Sequence, residues 1–135
     1  MSTPYDDNYQ PPFPQLTVRL DNGGEQPGPV PAHLDTGADI TFIPTDLLEE
    51  VGAVESVQAQ IRSHFGELQP VQLYLIGIQV DSVSLVGLYV VGDDMGDEVI
   101  LGRDVLNKLP LFLDGPQTQT DILGNAVVQR LRRRN

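Results

Sequence analysis

The residues best suited to chemistry in this chain are carboxylates set among small residues. His33-Leu34-Asp35-Thr36-Gly37-Ala38-Asp39 places an acid directly after a short apolar run and just before a glycine. Such an acid leaves the end of a strand on a tight turn, and the glycine lets other backbone pass close by. Two carboxylates that share a site divide the labour of acid and base. Like charges a few ångströms apart resist joint ionisation, so one keeps a proton and the other does not. Well downstream, Val99-Ile100-Leu101-Gly102-Arg103-Asp104 joins an apolar run to a glycine and opens a predicted helix, which Asp104 is placed to cap.

Other chemistries find little support. His33 and His64 stand apart, without the serine or acidic spacing of a nucleophilic or metal site, so no metal and no cofactor is expected. The stretch Asp93, Asp94, Asp97, Glu98 lacks the alternating ligands of an EF-hand. There is no cysteine, which excludes disulfides and thiolate metal sites. Net charge is −11, and residues 1–129 carry 4 basic against 19 acidic side chains, a net of −15. Such a body repels nucleic acid. The remaining basic residues, Arg130, Arg132, Arg133 and Arg134, read as a solvated tail. No apolar run approaches membrane-spanning length and no leader pattern opens the chain. The expectation is a soluble cytoplasmic protein with neither nucleic acid nor membrane as a partner.

These residues need elements to position them. The 135 residues suit one domain. Residues 1–14 hold four prolines among Tyr5, Tyr9 and Phe13 and read as a flexible or extended arm. Residues 15–124 read as the working domain, and residues 125–135 as an Arg-rich C-terminal tail. Strands are predicted at 16–20, 30–34, 40–43, 54–61, 71–80, 83–91 and 99–101, from alternating or apolar runs between turn signals. The run 83–91 is the most apolar and is expected in the core. Thr45 is placed to cap a short helix that closes at Gly52, a second helix is predicted at 103–109, and 111–113 with 118–123 make a closing hairpin. Arg62 to Glu67 is a hairpin tip. Many short strands with one or two short helices indicate a mainly β, closed antiparallel domain.

In this order, strand, Asp-Thr-Gly-Ala-Asp, hairpin, Ile-Leu-Gly-Arg-Asp and helix, the chain resembles the retropepsin-like aspartic proteases, over roughly Leu16 to Leu123. The resemblance implies the retropepsin-like acid protease fold and an aspartic endopeptidase acting on peptide or protein substrates. Asp35 is then the catalytic acid. With one Asp35 per chain, a two-fold homodimer must bring two together, as the family also implies. Active-site support falls to Thr36, bonding across the dimer axis, to Gly37, Ala38 and Gly102, and to an Asp39–Arg103 ion pair. Ala38, which cannot donate a hydrogen bond to the dyad, points to a less acidic optimum than a Ser or Thr would give. His64, Phe65 and Gly66 become the flap over substrate, and Ile40, Phe65, Val99 and Ile100 candidate pocket residues. The flap holds fewer glycines than retroviral flaps. That favours the alternative of a catalytically weak or inactive peptide-binding or dimerisation module.

Overall fold

Residues 2–24, 27–63 and 65–133 are described by a computed structural model. In chain order they form β1 (Ser2–Pro4), β2 (Gln15–Asp21), β3 (Val30–Leu34), β4 (Phe42–Pro44), α1 (Thr45–Val51), β5 (Val54–Arg62), β6 (Leu68–Val80), β7 (Val83–Asp93), β8 (Val99–Leu101), α2 (Arg103–Leu106), β9 (Leu111–Asp114), β10 (Gln119–Ile122) and α3 (Asn125–Arg132). Alternation explains the strands. In β2, Leu16, Val18 and Leu20 point inward, while Arg19 between them faces water. From β6, Tyr74, Ile76, Ile78 and Val80 complete the same core. Each buried aliphatic side chain contributes roughly 1.5–3 kcal/mol.

The larger sheet runs β2-β3-β8-β4-β7-β6-β5, and β2 also pairs with β6. That pairing closes six strands into a barrel and leaves β5 outside it, bonded to β6. Most pairs are antiparallel, but β3–β8 and β4–β7 are parallel. Parallel neighbours need long crossovers, so local alternation does not announce them. β7 is buried only in part. Leu88, Val90 and Val91 are in the core, whereas Val86 is 83% exposed. Gly87 lies in a register shift against Ile76 and Ile78 with a φ of 68°. Glycine takes that angle without strain, and the bulge shifts the alternation, so that Val83 and Leu85 pack on the core and Val86 faces water.

Two expectations about the ends of elements are corrected, and the N-terminal arm takes the extended one of its two readings. α1 is preceded by Pro44 with no side-chain cap, because the Thr45 hydroxyl donates instead to Asp94 Oδ1 at 2.6 Å. α2 stops at Leu106, short of Leu109. The segment read as a flexible or extended arm is extended and docked: β1 pairs with β10, which pairs with β9, and Asp6 and Phe13 form a further bridge. Paired backbone donors fix the arm where composition alone suggested freedom. The Arg-rich tail carries the exposed helix α3; Arg134 lies outside the described residues. No helix among the described residues is long and apolar enough to cross a membrane.

Candidate active site

β3 delivers Asp35. The Asp35 N–H donates to the Leu101 carbonyl at 3.0 Å, the last bond of the β3–β8 ladder before the chain turns away. The turn is tight: Ala38 N–H reaches the Asp35 carbonyl at 3.1 Å, and Gly37 N–H donates to Asp35 Oδ1 at 2.9 Å. One carboxylate oxygen is thereby oriented, and the half-buried side chain faces an open cleft.

Residues 102–104 brace this loop from behind. Arg103 N–H donates to the Ala38 carbonyl at 2.8 Å, and Arg103 Nη1 to the Thr36 carbonyl at 2.7 Å. Gly102 packs against backbone, so a Cβ there would lie 2.6 Å from the Ile40 oxygen. Its N–H donates to the buried Thr41 hydroxyl at 3.1 Å, and that hydroxyl donates to Asp104 Oδ1 at 2.7 Å. Thr41 N–H reaches the other oxygen of the same carboxylate at 3.1 Å. Asp104 does not cap α2 as expected: Gly102 holds the cap position with no side-chain bond, Asp104 lies within the helix and accepts the adjacent Val105 N–H, and its carboxylate ties α2 to the Asp35 loop.

The expected Asp39–Arg103 ion pair is corrected. Among the described residues the ion pairs are those of His33, and Arg103 serves the Thr36 carbonyl instead. Asp39 is exposed, where an ion pair would add little. Thr36 is exposed, and Ala38 lines the cleft beside Asp35 and Gly37.

The cleft has a volume of about 970 Å³. Ile40 lines it as expected, together with Phe42, Ile61, Leu73 and Tyr89, which sequence reasoning missed. Tyr89 could have been found, since it alternates with the buried Leu88 and Val90. Val99 belongs to the core, and Ile100 does not reach the cleft. The β5–β6 ribbon forms one wall through Ala59 to Ser63 and Gln69. At its tip, Arg62 Nη1 holds the Gly66 carbonyl at 2.9 Å, and Phe65 is 92% exposed. Phe65 and Gly66 are therefore not brought into the cleft, and His64 lies outside the described residues. Three carboxylates, Asp35, Asp39 and Asp104, face the cleft with Arg62 as the basic group among its lining residues.

A second cluster sits just behind Asp35. The buried His33 ring meets Asp6 Oδ2 through Nε2 at 2.9 Å and Glu98 Oε2 through Nδ1 at 3.2 Å. Phe13 stacks on it at 4.4 Å, Tyr9 packs edge-on at 5.1 Å, and the Tyr9 hydroxyl donates to Glu98. The His33 bond holds the Asp6 carboxyl below its usual range, while Glu98 pushes the Tyr9 phenol up to about 12. The ligand atoms of Asp6, His33 and Glu98 lie within 4.8 Å of one another. The carboxylates take opposite ring nitrogens, however, and a metal ion could use only one nitrogen. Hydrogen bonds from His33 Nε2 and the Asn8 N–H already engage Asp6, and one from the Tyr9 hydroxyl engages Glu98.

A family model described as "gag-polyprotein putative aspartyl protease" matches residues 24–108, more than half of the chain. The chain belongs to the retropepsin-like aspartic protease family. Two solved structures share the fold of this family member. EIAV protease complexed with the inhibitor HBY-793 is 21% identical with a TM-score of 0.53, over 71% of this chain and 86% of that one. The solution structure of simian foamy virus (mac) protease is 22% identical with a TM-score of 0.50, over 69% and 91%. Among curated proteins, none matches.

Proposed function

We propose that this family member is an aspartic endopeptidase whose catalytic dyad is assembled from Asp35 of two copies of the chain. The observation that carries the reading is the Asp35 carboxylate itself. It is oriented by the Gly37 N–H at the wall of a peptide-sized cleft, on a loop braced by residues 102–104. Asp104, the other ordered acid of the cleft, is committed to Thr41. With one Asp35 per chain, one copy makes half a dyad, and a two-fold axis supplies the rest.

In the dimer one Asp35 is ionised and its partner protonated. The ionised carboxylate takes a proton from water as the water oxygen bonds to the scissile carbonyl carbon. The protonated partner donates its proton to the carbonyl oxygen, giving a gem-diol. Collapse breaks the C–N bond: the carboxyl that took the water proton gives it to the leaving amine, while the carboxylate that gave up its proton takes one from a gem-diol hydroxyl, which restores the dyad. An extended peptide would run beside the β5–β6 ribbon. Apolar side chains suit Ile40, Phe42, Ile61, Leu73 and Tyr89, and the cleft's carboxylates disfavour acidic ones.

A second reading, a module that binds peptides or dimerises without efficient catalysis, draws on the flap. Its tip carries Phe65 out to solvent rather than over the cleft. The test compares wild type with Asp35→Asn on an unstructured protein between pH 3 and 7. The substitution should lower cleavage on the order of 10²–10⁴-fold. Cleavage unchanged by it removes Asp35 from the mechanism. A dimeric wild type that cleaves nothing supports the module.

A further inference from the structure

The cluster behind Asp35 plays no part in the chemistry proposed above, and it holds one contact that its hydrogen bonds leave unexplained. The Asp6 carboxyl lies below its usual range, so at neutral pH it is a carboxylate and only accepts; the proton in its bond to His33 sits on Nε2. A neutral ring with that proton bears a lone pair on Nδ1. Nδ1 has no hydrogen bond among the described residues, yet Glu98 Oε2 lies 3.2 Å from it. The Tyr9 hydroxyl takes Glu98 Oε1 and leaves Oε2 free. Two electron-rich atoms thus face each other with no proton between them. The His33 side chain is only 7% exposed, and it is held in place by the stacked Phe13 and the edge-on Tyr9.

The surroundings suit a cation. The pocket beside the ring has a volume of about 410 Å³ and is lined by Asp6, Asp46, Asp97 and Glu98, with no lysine or arginine. A neutral imidazole among carboxylates is a donor set for a divalent ion, and the nitrogen favours Zn²⁺ over Ca²⁺ or Mg²⁺. The spacing fits as well. An ion about 2.1 Å from both Nδ1 and Oε2, which are 3.2 Å apart, would see them at about 100°, near the tetrahedral angle. Asp6 is already where a ligating histidine needs support: a carboxylate that accepts the other ring N–H fixes the tautomer and the ring's orientation. No spacing in the chain announces this set, because its members are residues 6, 33 and 98.

We propose that His33 Nδ1 and Glu98 Oε2 bind one divalent transition-metal ion, with Asp6 orienting the ring and the rest of the shell drawn from water and the pocket's other carboxylates. The ion joins β3, which ends next to Asp35, to the residue just ahead of β8, which leads into Gly102. Through Asp6 and Tyr9 it also fastens the N-terminal arm to both strands. Its role is structural, and it takes no part in peptide hydrolysis. The site stands or falls apart from the peptidase reading.

Calorimetric titration of the metal-free full chain with ZnCl₂, followed by long-range ¹H–¹⁵N spectra of the imidazole nitrogens, tests this without any assay of activity. The chain has two histidines, so the spectra are simple. One ion should bind per chain, the His33 Nδ1 resonance should move, and Nε2 should stay protonated. With free Zn²⁺ a hundredfold above its Kd, the ratio of folded to unfolded chain in urea should rise about a hundredfold, and a chelator should reverse the gain. Glu98→Gln is the decisive variant. Its side chain is 39% exposed, so the fold should survive while affinity drops by about tenfold or more. His33→Gln should abolish binding, and His64→Gln should leave it unchanged. A wild-type chain that takes up no ion overturns the proposal. So does binding that survives Glu98→Gln and His33→Gln undiminished, or a His33 Nδ1 resonance that Zn²⁺ does not move.

Discussion

Gly102→Ala probes the brace behind Asp35 most sharply. A Cβ on residue 102 would lie 2.6 Å from the Ile40 carbonyl oxygen, 2.7 Å from its carbon and 2.9 Å from the Ala38 oxygen. All three are backbone atoms, so no side chain can swing away. The Asp35 loop or the start of α2 must move. Inserting a methyl group into filled space costs about 1–3 kcal/mol. The same movement stretches the Arg103–Ala38 and Gly102–Thr41 hydrogen bonds, now 2.8 and 3.1 Å, each worth about 0.5–1.5 kcal/mol net. The expected loss is therefore about 2–4 kcal/mol, or on the order of 10 °C in Tm for a domain of this size. Urea unfolding at one fixed protein concentration measures it, because association would otherwise shift the midpoint. Gly115→Ala is the control: a Cβ there meets nothing within 4 Å. A Gly102→Ala protein within about 0.5 kcal/mol of that control would refute the close-packed brace, a difference no larger than an ordinary surface substitution makes.

Two further outcomes follow from the site. Arg103→Ala should cost about 1–2 kcal/mol through the lost bond to the Thr36 carbonyl, while Asp39→Asn should stay within about 0.5 kcal/mol; equal losses in urea unfolding would restore the ion pair between them. Asp6 gives the acid limb of arm docking. Its folded carboxyl lies below the unfolded value of 3.8, chiefly through His33 and then the Asn8 N–H. The unfolded state therefore binds more protons in that window. The stabilisation is present above the unfolded value and is lost as pH falls through the folded one. Asp6→Asn should shrink the drop in urea midpoint between pH 6 and pH 3, and an unchanged drop would show that Asp6 does not hold the arm.

Much of this arrangement was legible in the chain. Strand alternation located β2 and β6, because a half-buried strand writes its burial into every second residue. Asp35 stood out because a short motif at a strand end needs no distant partner to be recognised. What failed to show was long-range. The Thr41–Asp104 bonds join residues 63 apart, and neither residue type signals the other. Arg103 has a carboxylate at Asp39 to tempt it, yet the nearer claim comes from a backbone carbonyl, which sequence does not display. The arm looked free because proline and tyrosine composition says nothing of the buried imidazole beneath it. Val86 looked like core because the bulge at Gly87 reverses the facing of the run.

β5 has a consequence for how such a chain diverges. A strand within the barrel is bonded on both edges, and its side chains fill the core; β5 is bonded to β6, and none of its side chains is buried. Selection for folding therefore bears lightly on it. Ala59 and Ile61 line the cleft from this lightly constrained strand. A lineage can alter them, or lengthen the ribbon by a matched pair of residues, and change which peptides fit while the barrel keeps its stability. The chain places the part that can drift beside the part that selects, and keeps both apart from the part that must not move.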